Sequence, residues 1–420
     1  MRLLYNFSIL LYVFAVRIAS LFNPKAQLWL KGRKDIFEKL RAAIPAGDIS
    51  LVWFHCASLG EFEQGRPLIE LMRKKDPSVK ILLTFFSPSG YEVRKNYAGA
   101  DYIFYLPLDT TRNAKRFIDS VRPKAVFFVK YEFWFNYLRE LKQRNIPVYL
   151  VSGIFRDDHH FFKSYGSWFR DQLNSFAHFY LQDERSQQLL NAIGFNNTTV
   201  CGDTRFDRVF EISQQVKQID VVKQFAGDHK VLIMGSSWPE DEKIVQSPEV
   251  QRATLQDYKI IIAPHEIDEK HIAAIEAGFK NKEWCLRFSQ ANESNIKNAN
   301  ILIIDNIGML SSLYQYGTVA FIGGGFGKGI HNILEAATFG LPVIFGPNYE
   351  KFTEAKELIR LGGAFEINNE EEFKKTITLL NDNEVLKTAS HISKQYVQSR
   401  VGASEKILNS ILPLNLPLRH

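Results

Sequence analysis

Cysteine is nearly absent: the 420-residue chain has three, Cys56, Cys201 and Cys285, far apart and in no CxxC pair. That argues against a disulfide framework, and the lack of any His/Cys cluster at zinc-ligand spacing argues against a structural zinc. An excess of either charge is missing too. Lys+Arg 52 against Asp+Glu 46 leaves a net charge of +6, with no long basic tract and no aromatic-rich RNA motif. No nucleic-acid partner is expected, and an anionic lipid or a phosphorylated substrate fits the mild basicity better. There are no internal repeats or low-complexity tracts. Neither GxxxxGK[ST] nor GxGxxG with its distal acid occurs, which weakens P-loop and dehydrogenase readings.

What is present begins with an apolar run, Leu3 to Phe22, interrupted by Asn6 and Arg17. It is long enough to cross a hydrocarbon layer of about 30 Å as a helix. Lys25, Lys31, Arg33 and Lys34 follow it, so the positive-inside rule keeps the remainder in the cytoplasm. Residues 1–25 therefore read as a membrane anchor or interfacial helix at the cytoplasmic face of an inner membrane; a buried helix or a cleaved signal are the alternatives. Arg33-Lys34 and Arg73-Lys74-Lys75 are candidate attractors for lipid phosphates, or else a solvated basic face.

Beyond it, short apolar runs alternate with amphipathic stretches, the signature of βα units and parallel sheets. Leu51–Cys56, Ile81–Phe85, Tyr102–Leu106, Ala125–Val129 and Val148–Val151 read as strands of one doubly wound domain, residues 26–210. Val231–Met234, Lys259–Ala263, Ile301–Ile304, Val319–Ile322 and Val343–Phe345 read as strands of a second, residues 230–395. The polar stretch 211–229 reads as a linker containing a helix, and 396–420 as a closing helix and a Pro-containing tail that can return to the first domain. The fold class is thus α/β, two Rossmann-like domains with a cleft between them. Ligands of such sheets collect beyond the carboxyl ends of the strands.

In the second domain, Gly317–Gly346 reads as strand, glycine loop, helix and strand. Gly323, Gly324, Gly325, Gly327 and Gly329 permit close backbone approach, and a helix starting near His331 offers free N–H groups to an anion. Asn332 and Glu335, three apart, share one helix face, where the carboxylate can accept ribose hydroxyls. Glu335 as a mere first-turn acid is the bland alternative. Gly235-Ser236-Ser237, Pro264-His265 and Gly308-Met309-Leu310 follow other strands and are candidate donor contacts.

In the first domain, His55 to Glu61 carries a buried strand into a helix containing Arg66. Its small residues allow a tight turn and leave Glu61 at the cleft edge, a candidate base for an acceptor hydroxyl; a first-turn acid complementing the helix dipole is the competing reading. Ser58, Gly60, Arg66 and Glu132 are candidate supporting or acceptor contacts. Asp157-Asp158-His159-His160 looks metal-binding, but neighbours on a regular element point in different directions, so a mobile polar loop is expected.

HCASLGEFEQGRPLI, GDTRFD, GSSWPEDE, the Asp305–Leu310 loop and HNILEAATFGLPVIFGP, in this order over nearly the whole chain, together resemble the transferases of 3-deoxy-D-manno-octulosonic acid (Kdo). The resemblance implies a GT-B fold, a CMP-Kdo donor in the second domain, a lipid A precursor as acceptor, inversion at the anomeric carbon, and no obligatory metal or other cofactor. By position it implies that Glu61 is the base and that Pro264, His265, Gly308, Met309, Leu310 and the run Asn332, Ile333, Leu334, Glu335 meet CMP. The chain departs from the family at Lys130, where an acid is common, at Phe135, where a proline is, and at His265 or Ala263, where an arginine is. A UDP-sugar transferase or epimerase, and a membrane-tethered nucleotide-sugar-binding protein without turnover, are the alternatives.

Overall fold

The computed structural model describes residues 1–45, 47, 50–279 and 284–411. The chain divides into two compact units: Met1–Arg208 together with Gly402–His420, and Val209–Val401.

The first unit is built on β1 (Leu51–Cys56), β2 (Lys80–Phe85), β3 (Tyr102–Tyr105), β4 (Ala125–Val129), β5 (Val148–Gly153), β6 (His178–Leu181) and β7 (Thr198–Val200). They form one sheet in the order β3-β2-β1-β4-β5-β6-β7, parallel throughout. Helices cover both faces, so central strands such as β1 and β4 are buried at every residue. That double burial is why they read as unbroken apolar runs without alternation. Phe54, Phe127 and Tyr149 stack across β1, β4 and β5 at centroid separations of 4.7 and 5.2 Å.

The second unit holds β8 (Lys230–Ser237), β9 (Tyr258–Pro264), β10 (Cys285–Arg287), β11 (Ile301–Ile303), β12 (Val319–Ile322), β13 (Val343–Phe345) and β14 (Ala364–Glu366). Their order is β10-β11-β9-β8-β12-β13-β14, again parallel throughout.

Strand order reverses direction between β1 and β4 in the first sheet, and between β8 and β12 in the second. At such a switch point the loops leaving adjacent strands diverge and open a crevice. Both crevices are marked by strained backbone: Lys130, just after β4, has φ 71°, and Ser236, at the end of β8, has φ 53°. Non-glycine residues pay a steric cost there, and such conformations cluster at functional sites.

Four strands carried no sequence expectation: β6, β7, β10 and β14. Three of them have three residues each, too short to build a periodic signal, and only their neighbours in the sheet make them strands. The stretch 211–229 belongs to the second unit. It holds the helix Asp220–Ala226, which buries Val222 and Phe225 in the second unit, and Ile219 N–H donates to Tyr316 Oη at 2.7 Å. The closing helix Ala403–Ile411 packs on the first unit, its Ala403, Ile407, Leu408 and Ile411 joining the core of Val52, Phe54 and Phe127. The Pro-containing tail, residues 412–420, lies outside the described residues.

The apolar N-terminal run forms a helix, Arg2–Ala19, long and apolar enough to cross a membrane. The basic clusters next to it do not point outward as a set. The Arg33 guanidinium is enclosed, donating to the carbonyls of Leu106, Trp29 and Phe86 and lying 4.0 Å from the Trp29 ring centroid. Arg73 is paired with Asp101.

Candidate functional site

At the β1/β4 switch point, Ser58 caps the helix Leu59–Lys75 and Glu61 sits three residues later, forming a capping box. The Glu61 carboxylate accepts the Ser58 N–H at 3.1 Å and, through a short bond, the Ser58 hydroxyl. Glu61 is thus a first-turn acid that also caps the helix, and it is a half-buried carboxylate beyond the carboxyl end of β1. Gly60 is not required by the backbone. It is exposed, and an added Cβ would meet only Ser58 Oγ at 3.7 Å. What its bareness provides is an open approach over the first helical turn.

Beneath the loop lies a buried polar chain whose histidine sequence reasoning left without a role. His55 is fully buried; its Nδ1 lies 2.8 Å from Thr84 Oγ1 and its Nε2 3.1 Å from Glu132 Oε2. Trp134 Nε1–H donates to the same Glu132 oxygen. Glu132, only 7% exposed, thus links His55 on β1 to Trp134 beyond β4, as a supporting residue would. Arg66 lies on another face of the helix. Five residues beyond Glu61, it lies roughly 140° around the helix, paired with Glu70 at 2.7 Å and facing the Tyr97 ring. The signal that could have identified His55 was a histidine inside an otherwise unbroken apolar strand, which needs partners for both ring nitrogens.

At the β8/β12 switch point, Asn332 and Glu335 do meet, with Asn332 Nδ2 donating to Glu335 Oε1 at 3.2 Å. The helix here is short, Leu334–Ala337, so His331 and Asn332 precede it, and Asn332 Oδ1 acts as a cap for Leu334 N–H at 3.2 Å. The side chains of Ile333 and Leu334 are core, 1% and 0% exposed. Only backbone groups of these two residues are available to a ligand. Ser311, missed in the sequence, donates to Glu335 Oε2 at 2.7 Å and ties the loop of Gly308, Met309 and Leu310 to Glu335. Gly308 is exposed with φ 93° and no atom within 4 Å of an added Cβ.

The glycine loop is folded on itself. Gly323, Gly327, Gly329 and His331 donate their N–H groups to carbonyls of Gly235, Gly324, Gly324 and Gly323. Gly324 N–H goes to Asp241 Oδ2 at 2.8 Å, a buried carboxylate that burial raises above its usual range. Most of the expected anion cradle is thus used internally. Gly323 and Gly325 have no room for a Cβ because backbone of Ser236 and Gly346 lies 2.3 and 2.4 Å away. Gly235 is likewise a packing glycine: its Cβ would fall 2.1 Å from Tyr314 Oη. The hydroxyl of strained Ser236 has no hydrogen-bond partner among the described residues, and so is a better ligand donor than its glycine neighbour.

Pro264 ends β9 and delivers His265, exposed, onto an aromatic stack. His265 lies 4.6 Å from the Trp238 ring at 24° and 4.6 Å from the His331 ring at 27°. Trp238 Nε1–H donates to His331 Nε2 at 3.0 Å, so this nitrogen is the unprotonated one. Burial, then the neighbouring His265, lower the His331 pKa. Neither Trp238 nor His331 was singled out in the sequence as a contact.

The run Asp157–His160 leads into an aromatic cluster. His160 stacks on Phe169 at 5.2 Å, Phe161 is buried, and Asp157 pairs with Arg185. Among the described residues no group of His, Cys, Asp and Glu is arranged to hold a metal.

Residues 31–208 match the profile of the 3-deoxy-D-manno-octulosonic-acid transferases (kdotransferases). The chain is 29% identical over 353 residues to the 3-deoxy-D-manno-octulosonic acid transferase of Aquifex aeolicus, spanning 82% of this chain and 91% of that one. It is 25% identical over 411 residues to the Haemophilus influenzae protein of the same name, spanning 95% and 94%. Among solved structures, the UDP-GlcNAc 2-epimerase of Neisseria meningitidis shares the fold with TM-score 0.60 at 16% identity, covering 86% of this chain and 100% of that one. A putative UDP-N-acetylglucosamine 2-epimerase from Listeria monocytogenes does so with TM-score 0.59 at 15% identity, over 87% and 96%.

Proposed function

We infer, from the premise that the chain belongs to the Kdo transferase family of GT-B glycosyltransferases, that it moves Kdo from CMP-Kdo to a lipid A precursor in lipopolysaccharide synthesis. The observation that carries this reading is the seat of Glu61: a half-buried carboxylate beyond β1, held by the N–H and hydroxyl of Ser58 at the switch point of its sheet. In the proposed reaction it accepts the proton of a glucosamine hydroxyl as that oxygen attacks the anomeric carbon of Kdo. The bond from that carbon to the CMP phosphate breaks on the opposite face, and the electron pair leaves with CMP.

The donor is assigned to the second unit. Asn332 and Glu335 are the groups for ribose hydroxyls, Ser236 and remaining loop N–H groups those for phosphate, and Pro264-His265 with Gly308, Met309 and Leu310 those bordering the nucleotide. The N-terminal helix Arg2–Ala19, with its apolar outer side, supports a location at the cytoplasmic face of the inner membrane, where such an acceptor resides.

The test is transfer from freshly generated CMP-Kdo to a tetraacyl lipid A precursor, read by mass spectrometry for wild type and Glu61→Ala. A product heavier by one or more Kdo units, lost in the variant, supports both reaction and base. Folded wild type without product, but turning over a UDP-sugar, would replace this reading with the UDP-sugar alternative.

A further inference from the structure

A cavity of about 960 Å³ lies wholly within the first unit. Leu4 and Tyr5 of the N-terminal helix form one wall, and Phe135, Trp168 and Phe169 another. The cavity opens to the surface rather than lying sealed in the core, and its volume is within the range of ligand pockets, about 300–1,000 Å³. The aromatic wall is continuous: Tyr5 to Phe135 is 4.9 Å, Phe135 to Trp168 4.9 Å, and Trp168 to Phe169 5.1 Å between centroids.

The helix that borders the cavity is docked sideways by polar bonds. Arg2 donates to Thr111 Oγ1 at 3.0 Å, Tyr5 to Asp109 at 2.6 Å, and Asn136 to Asn6 Oδ1 at 2.9 Å. Its other side exposes Leu3, Phe7, Leu10, Phe14 and Ile18. A helix with one face bonded to protein and the other bare and apolar suits the plane of a membrane surface better than a path through it.

Two cations, Lys130 and Arg156, line the same cavity and make no ion pair among the described residues; Asp158 is the one carboxylate on its lining. Tyr131 also lines it, and its phenol pKa is raised by burial first, with the Glu61 charge among the further causes. One cavity therefore joins an apolar lining, unpaired cations and the neighbourhood of Glu61.

We propose that this cavity seats an acyl chain of the phosphorylated glycolipid acceptor, with Lys130 and Arg156 meeting an acceptor phosphate; this rests on the acceptor reading above. Apolar walls bury the chain, and two unpaired cations on the lining complement a phosphate. The N-terminal helix is then part of the acceptor site as well as a membrane attachment.

The test uses the full chain in phospholipid nanodiscs containing a tetraacyl lipid A precursor with a diazirine at one acyl terminus. Photolabelling should fall on Leu4, Phe135 or Trp168, be displaced by unmodified acceptor, and be absent with a phosphatidylcholine carrying the same diazirine. The Lys130→Ala/Arg156→Ala double variant should reduce labelling by the phosphorylated probe about tenfold and leave the dephosphorylated probe unaffected. Trp168→Ala should raise KM for the tetraacyl acceptor about tenfold, with kcat and the kinetics of the deacylated disaccharide unchanged. Label only on the outward face of the helix, equal labelling by phosphatidylcholine, or no label overturns the proposal. Labelling needs no turnover, so a cavity label without Kdo transfer would count against the reaction and not against the site.

Discussion

Glu61 holds two positions at once, and the two can be separated by substitution. Glu61→Ala removes both the proposed base and the acid of the capping box. Activity should fall by about 10²–10⁴, and the helix Leu59–Lys75 should lose about 1 kcal/mol. Glu61→Gln keeps an oxygen for Ser58 and should recover most of that stability, measured by denaturant unfolding, while leaving transfer at the level of the alanine variant. Retained activity in Glu61→Gln would remove the base assignment. Gly235 poses a packing question of the same scale. Gly235→Ala drives a Cβ toward Tyr314 Oη and should cost about 1–3 kcal/mol. Tyr314→Phe deletes that oxygen, so the double variant should be more stable than Gly235→Ala alone.

His331 carries a pH prediction. Its folded pKa lies below the unfolded value of 6.5, because of burial and then His265. The unfolded state therefore binds more protons as pH falls, so the stability this ring contributes is present above pH 6.5 and lost below it. Protonation would also remove the acceptor that Trp238 Nε1–H uses. Thermal unfolding of wild type should weaken between pH 6.5 and 5 more than that of His331→Gln, which cannot titrate and still offers an oxygen to Trp238. Equal slopes would show that the ring does not titrate there.

Among the elements, the closing helix Ala403–Ile411 depends on a residue far away in sequence. Asp207 of the GDTRFD motif accepts the N–H of Gly402 at 2.6 Å and of Ser404 at 2.7 Å. In the same motif Thr204 donates to the Gln64 carbonyl at 2.5 Å and lies 2.9 Å from Ser152 Oγ. Through Thr204 and Asp207 the motif thus joins the helix that carries Glu61, the end of β5 and the last helix. Asp207→Ala should cost about 0.5–2 kcal/mol, the usual loss on removing a helix cap. Amide exchange of residues 403–411 should accelerate, and transfer should persist at temperatures where the fold is intact.

For the molecule as a whole, the donor assignment makes a thermodynamic prediction. CMP at a hundredfold its Kd should stabilise the state that binds it by about 2.7 kcal/mol. UDP at the same concentration should do less. Calorimetry should detect the CMP shift undiminished in Glu61→Ala and reduced in Glu335→Ala. A CMP shift unaffected by Glu335→Ala would place the nucleotide elsewhere. The two-sheet architecture and most strand positions were legible because parallel strands buried on both faces must be apolar along their length, as Leu51–Cys56 and Val319–Ile322 are. Chains of this kind also expose their switch points, since a strand followed by small and polar residues marks where a loop leaves the sheet.

The residues of the site were legible unevenly, and for a physical reason. Sequence by itself determined the parallel sheets, the apolar N-terminal helix, Glu61 as a first-turn acid, and the nearness of Asn332 to Glu335, all properties of local spacing or of burial that every residue of a strand shares. Tertiary structure alone decided what long-range contacts supply: Glu132 bound to His55, Ser311 brought to Glu335, the stack of Trp238, His265 and His331, and glycines serving Tyr314 and neighbouring backbone. Partners far apart in the chain leave no periodic trace, because their meeting is set by the order in which the strands assemble.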